Sequence, residues 1–169
     1  MTGLRVRRAE PADYPAVARL TVAAYEADGQ LKGENGYGAV LADVSTRAAS
    51  GEVLVAVDEA TGAVLGSVTF VLPGTPFAEL SAAGEAEFRM LAVDPAAQGR
   101  GVGAALARAC VDRAAELGCT AVVICVRAGM AASAHRLYER LGFVRSPAQD
   151  WSPVPGVDLL GLRRELPRS

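Results

Sequence analysis

The residues with most chemical potential lie in one stretch, Leu91-Ala-Val-Asp-Pro-Ala-Ala-Gln-Gly-Arg-Gly-Val-Gly-Ala-Ala-Leu. A strand ends at Asp94-Pro95, a loop carries Gly99, Gly101 and Gly103, and a helical pattern begins. Glycine lets ligand oxygens approach backbone N–H groups that a Cβ would screen. The first turn of a helix adds unpaired N–H donors and a partial positive charge. Together they make an anion site suited to a phosphate or pyrophosphate. The alternative is a tight strand-to-helix turn with no ligand. A P-loop needs Gly-Lys-Ser/Thr after the loop, and no lysine stands there. A Rossmann fingerprint follows the first strand directly and has an acid at the end of the next. Here the loop is mid-chain, residues 94–98 intervene, and the apolar run 119–126 ends without an acid. Both fit poorly.

Few other side chains suggest chemistry. Glu85, Glu87 and Arg89 alternate, so a regular strand puts all three on one face. On spacing alone Glu87 reads as a surface partner of Arg89. Tyr138 follows Ala134 and Leu137 at helical spacing, which suits an amphipathic core tyrosine. His135, the single histidine, reads as a solvent-facing helix residue, and Arg100 as a loop arginine within reach of a phosphate. Trp151 sits among prolines, where it either caps the core or lines a cleft.

The elements that must position these residues follow from pattern. Residues 4–8 alternate as a strand, and a helix opens near Pro11 and runs to about Ala27. Four glycines punctuate a loop over 28–38, and a second helix covers 39–49. A hairpin pairs 52–58 with 63–72, a loop with two prolines spans 73–84, and 85–93 is a further strand. A helix covers 101–117, a strand buried on both faces covers 119–126, and a last helix spans 131–141. Residues 143–145 and 157–166 supply two late strands. The order predicts a single α/β (α+β) domain over 1–169, a central mixed, twisted sheet flanked by helices.

Composition excludes several classes. The 169 residues are 51% hydrophobic and 21% charged, a globular mix that needs no staple. A formal charge of -2 argues against a nucleic-acid surface. Cys110, Cys119 and Cys125 form no Cys-x-x-Cys pair, so with one histidine no metal site is expected. Unpatterned cysteines suit a reducing compartment, and neither a signal peptide nor a membrane span is legible. The expectation is a cytoplasmic protein.

Three blocks then converge. Gln98-x-x-Gly101-x-Gly103 resembles the acyl-CoA signature of the GNAT (GCN5-related N-acetyltransferase) superfamily. Glu87-Phe-Arg-Met-Leu-Ala-Val-Asp-Pro is similar to that family's central strand, and Ala134-His-Arg-Leu-Tyr-Glu-Arg-Leu-Gly-Phe to its Leu-Tyr helix. The resemblance implies a sheet of about seven strands with about four helices, and acetyl-CoA as co-substrate without a metal. It places the pantetheine arm on the backbone of Leu91, Ala92 and Val93. The pyrophosphate falls on the loop of Gln98, Gly99, Arg100, Gly101, Val102, Gly103 and Ala104. It makes Tyr138 the acid for the departing thiolate and Glu87 the general base, with Glu85 on the same strand as the alternative carboxylate. One departure is Ala131, where the family commonly has asparagine.

The expected reaction is direct transfer of acetyl to a primary amine. No Cys-His or Ser-His-Asp pairing suggests an acyl-enzyme. Backbone N–H groups near Leu91 and Ala92 are expected to stabilise the oxyanion. Glu26, Asp28 and Glu34 in the glycine-rich loop favour a cationic amine. A small-molecule acceptor is the first expectation, and a protein N-terminus or lysine the second. A non-catalytic acyl-CoA-binding module is the alternative class. Net charge and the short apolar runs suggest neither nucleic-acid nor membrane partners, and a homodimer is left open.

Overall fold

The computed structural model describes residues 3–31, 36–129 and 132–167. Among these residues eight strands form one sheet. They are β1 (Leu4–Arg8), β2 (Glu52–Asp58), β3 (Val64–Val71), β4 (Glu85–Val93), β5 (Ala121–Arg127), β6 (Val144–Arg145), β7 (Trp151–Val154) and β8 (Val157–Glu165). The spatial order is β1-β2-β3-β4-β5-β8-β6, with β7 also paired to β8. The β4–β5 pair is parallel and every other pair is antiparallel.

Among the described residues five helices cover the sheet: α1 (Tyr14–Ala27), α2 (Tyr37–Ala42), α3 (Val44–Ser50), α4 (Val102–Glu116) and α5 (Ala132–Arg140). The period of two along β2 decides which side each serves. Val53, Val55 and Val57 pack with Val17 of α1 and Val44 of α3. Ala56 and Leu54 join the opposite cluster, with Leu106 and Cys110 of α4 and Tyr138 of α5. Each β2 face thus has its own helical layer.

Two expectations change. The helix expected over 39–49 breaks at Asp43, because its carboxylate accepts the Thr46 amide at 3.3 Å and hydroxyl at 2.7 Å. That cap starts α3 anew after α2 has ended. The segment between the late strands is not all loop: β7 pairs Trp151 with Leu159 and Val154 with Val157. Arg145 fixes its approach, donating to both Asp150 oxygens at 2.8 Å and to the Gly161 carbonyl at 2.8 Å. Asp150 in turn accepts the Gly161 amide at 2.8 Å.

The sheet is forked. The parallel pair is in register only over Glu85–Ala121, Ala86–Val122 and Glu87–Val123. Beyond Glu87, β5 stays with β8 as far as Arg127. β4 stays with β3, but carries one extra residue between Arg89 and Ala92, against Thr69 and Ser67. Within this bulge Met90 has φ 56°, a left-handed conformation that costs a non-glycine residue about 1–3 kcal/mol. The bulge turns β4 away from β5 and leaves their facing edges unpaired.

Candidate active site

A cleft of about 550 Å³ opens at this fork. Phe88, Arg89, Met90 and Leu91 of β4 line one side, and Ile124 to Arg127 of β5 the other. Tyr25 of α1, Tyr37 of α2 and the turn 153–157 between β7 and β8 close over it, while Ala134 and Tyr138 of α5 reach it from below. The fork therefore joins the two faces of the sheet. Phe88 and Tyr138 belong to the α4–α5 layer, whereas Arg89 lies one residue on and faces the other side.

Tyr138 satisfies both readings of its sequence position. Its ring packs edge-on against Phe88 and Phe143 at centroid distances of 5.8 Å each, and the residue is 5% exposed. It nevertheless borders the cleft, and its hydroxyl makes no hydrogen bond to a described residue. Burial, with smaller contributions from Cys110 and Cys125, raises its pKa, so the phenol stays protonated at neutral pH. It is a donor.

The glycine loop has the expected form. Gly101 caps α4 at φ 78°, a conformation that favours glycine, and no described atom lies within 4 Å of a Cβ built there. The first helical bond runs from the Ala105 amide to the Gly101 carbonyl at 3.0 Å, which leaves Val102, Gly103 and Ala104 without an intrahelical acceptor. Gly103 has a second reason to be glycine: a Cβ there meets Leu137 of α5 at 3.2 Å. Asp94 ends β4 by accepting the Ala96 amide at 3.0 Å, which directs residues 98–101 towards the helix. Arg100 turns away to pair with Asp58 at 3.1 Å, so the loop offers its amide rather than its guanidinium. Leu91 borders the cleft, and Ala92 and Val93 continue from it towards this loop.

The carboxylates part company. Glu87 is fully buried, and the described residues give it four donor groups from the β3–β4 loop. The Glu79 amide reaches its two oxygens at 3.0 and 3.1 Å, and the Leu80 amide lies at 3.0 Å. The Ser81 amide and hydroxyl are each at 3.1 Å. Glu87 does not line the cleft, and it does not pair with Arg89. Its oxygens hold the loop over residues 79–81. Glu85 pairs with Arg163 and accepts the Ala82 amide at 2.9 Å. Burial works against its ionisation, but those two partners outweigh burial and hold its carboxyl below the usual range.

The acid that does face the cleft is Glu79, which pattern did not single out. Its side chain is 19% exposed and pairs with Arg89 at 3.1 Å. Arg89 also donates to the Phe77 carbonyl at 3.1 Å. The Cys125 thiol lies 3.9 Å from a Glu79 oxygen. Desolvation raises the Glu79 pKa against the opposing pull of Arg89, and the Glu87 charge adds to the rise. Arg127 also lines the cleft, donating to the Gln30 carbonyl at 2.8 Å. No motif marks a loop acid, and the clamp that presents Glu79 is a tertiary contact.

Other expectations resolve simply. Glu26, Asp28 and His135 do not line the cleft, while Glu34 and Ala131 fall outside the described residues. Trp151 does not line it either, but its indole lies against the Cys125 thiol, which does. Burial disfavours ionisation of the cysteine thiols. Desolvation, helped by Glu79, pushes the Cys125 thiol up to about 12, and burial also raises Cys110 and Cys119. Arg47 was not anticipated. It is 1% exposed and donates to the Val40 and Leu41 carbonyls at 3.0 and 2.8 Å and to Thr69 at 3.2 Å, pinning α2 and its Tyr37 to β3. Among the described residues no helix is long and apolar enough to cross a membrane.

Comparison with known proteins agrees with this architecture. The model of the acetyltransferase (GNAT) family matches residues 16–143. A GCN5-related N-acetyltransferase from Kribbella flavida is similar at 29% identity and TM-score 0.69, covering 97% of this chain and 98% of its own. The structure of yncA from Salmonella typhimurium with its cofactor acetyl-CoA is similar at 23% identity and TM-score 0.69, covering 99% and 96%. The ribosomal-protein-S18-alanine N-acetyltransferase from Escherichia coli is similar at 19% and 0.71, covering 98% and 96%. No curated protein sequence matches the chain.

Proposed function

From the premise that the chain belongs to the GNAT acetyltransferase family and is an acetyl-CoA-dependent N-acetyltransferase, we propose that its acceptor is the primary amine of a small molecule. The observation that carries this is the fork, which opens beside Tyr138 into a cleft of limited size. A volume of about 550 Å³ is within the range of small-molecule sites.

The pantetheine arm lies along Leu91, Ala92 and Val93, because the bulge frees the β4 edge that faces β5. The pyrophosphate rests on the amides of Gln98 to Ala104, at the start of α4. With the thioester in the fork, amides near Leu91 and Ala92 stabilise the oxyanion, and Tyr138 protonates the departing sulfur. Transfer is direct, since the Cys125 thiol bordering the cleft stays protonated at neutral pH.

The lining also revises the acceptor's charge. Among the described residues it carries Glu79 and the two arginines Arg89 and Arg127, and neither Glu26 nor Asp28. Glu79 neutralises Arg89, whereas Arg127 meets a carbonyl. Such a surface suits an amine that also bears an acidic group better than a polyamine. Free-thiol release from acetyl-CoA across a panel of amino acids, polyamines and peptides tests this directly. Turnover confined to amino acids or other acidic amines supports the reading, and turnover confined to peptides or polyamines overturns it. Binding of acetyl-CoA with no turnover on any amine would instead indicate a binding module.

A further inference from the structure

Accepting that reading of a small amine attacking acetyl-CoA, the deprotonating group is still to be named. An alkylamine is overwhelmingly protonated at neutral pH, so an acceptor for that proton must stand where the nitrogen attacks. Among the described residues, three carboxylates lie near the fork. Glu85 is taken by Arg163 and the Ala82 amide. Glu87 is taken by the amides of residues 79–81 and the Ser81 hydroxyl. Glu79 lines the cleft.

We propose that Glu79 takes the proton from the acceptor amine, and that Glu87 is a positioning residue that holds the loop presenting it. The ammonium gives one proton to the Glu79 carboxylate. The freed nitrogen pair then forms the C–N bond while the C–S bond breaks, its electron pair leaving on sulfur. Tyr138 protonates that sulfur and recovers its proton, through solvent, from the amide nitrogen as it loses its second hydrogen. Glu79 returns its own proton to solvent, so the products are the amide, CoA thiol and one proton. The geometry suits a division of labour across the sheet, with Glu79 and Tyr138 entering the fork from opposite faces.

The charged and titratable groups facing Glu79 are Arg89 and Glu87 from β4, Cys125 from β5 and Tyr37 from α2. Arg89 keeps the carboxylate from becoming too basic, while desolvation and Glu87 keep it from being too weak a base.

The test is Glu79→Gln, which retains an acceptor for Arg89. In the wild type, log(kcat/KM) should rise with pH through an ionisation above the usual carboxylate range. Glu79→Gln should abolish that limb and lower kcat about 10²-fold at pH 7, with partial recovery at high pH as free amine accumulates. Glu79→Ala should regain activity with added formate. An unchanged profile in Glu79→Gln, or a higher KM with kcat and limb preserved, overturns the proposal, since the latter marks ammonium binding alone. If Glu79→Gln fails to fold, the formate response of Glu79→Ala decides. Failure of the underlying reading looks different: the wild type itself then releases no thiol with any small amine.

Discussion

The Glu87 carboxylate grips the backbone amide of Glu79 with both oxygens, at 3.0 and 3.1 Å. A fully buried acid thereby sets the position of a second acid that faces the cleft. The buried Glu87 oxygens find their partners in the amides of residues 79–81 and the Ser81 hydroxyl. The loop over residues 79–81 is held by the same bonds.

Glu87→Gln should act on this loop. Its NH₂ group would face amide donors, leaving some of them unsatisfied. We expect a loss of about 2 kcal/mol, equivalent to a Tm lower by about 4–8 °C for a chain of this size. Thermal unfolding measures it. An unchanged Tm would show that the clamp contributes nothing to stability.

Acetyl-CoA and CoA should both raise Tm, by an amount equivalent to about 2.7 kcal/mol at 100 times Kd. NADPH and ATP should do so much less. Gly101→Val should remove the ligand-induced rise, because Gly101 sits at φ 78° and a β-branched residue there distorts the start of α4. An equal rise with NADPH would contradict the placement of the cofactor.

Tyr138→Phe should lower kcat about 10²-fold while leaving the Kd of acetyl-CoA and the Tm nearly unchanged. Its ring stays packed against Phe88 and Phe143, and its hydroxyl bonds no described residue. Pre-steady-state measurement of the chemical step decides. If that step keeps its rate, Tyr138 is a packing residue.

Asp150 makes stability depend on pH. Its hydrogen bond from Arg145, and then the Gly161 amide, hold its carboxyl down at about 2. A depressed carboxyl contributes its full stabilisation above its unfolded pKa of ~3.9 and loses it as pH falls towards the folded value. Asp150→Asn should therefore melt below the wild type at pH 6, and the gap should close between about pH 4 and 2. A gap that persists at pH 2 would trace the loss to something other than the charge.

Much of this protein was determined locally. The alternation of residues 85–93 makes β4, the period of Val102, Leu106 and Cys110 makes α4, and the glycines between them make the turn. These depend on short-range geometry, so spacing alone reveals them and carries the family resemblance. Asp43 lies at the boundary of that kind of information. Its cap is local, yet the apolar pattern runs through it. What only the tertiary structure decided is which acid meets the cleft. Glu85, Glu87 and Arg89 share a face as alternation requires, but their partners come from Arg163, the Glu79 loop and Glu79 itself. The fork likewise depends on where β5 leaves β4 for β8, an exchange between segments distant in the chain. A carboxylate's role follows from its desolvation and its hydrogen-bond donors, and both are supplied by residues that sequence spacing does not bring together.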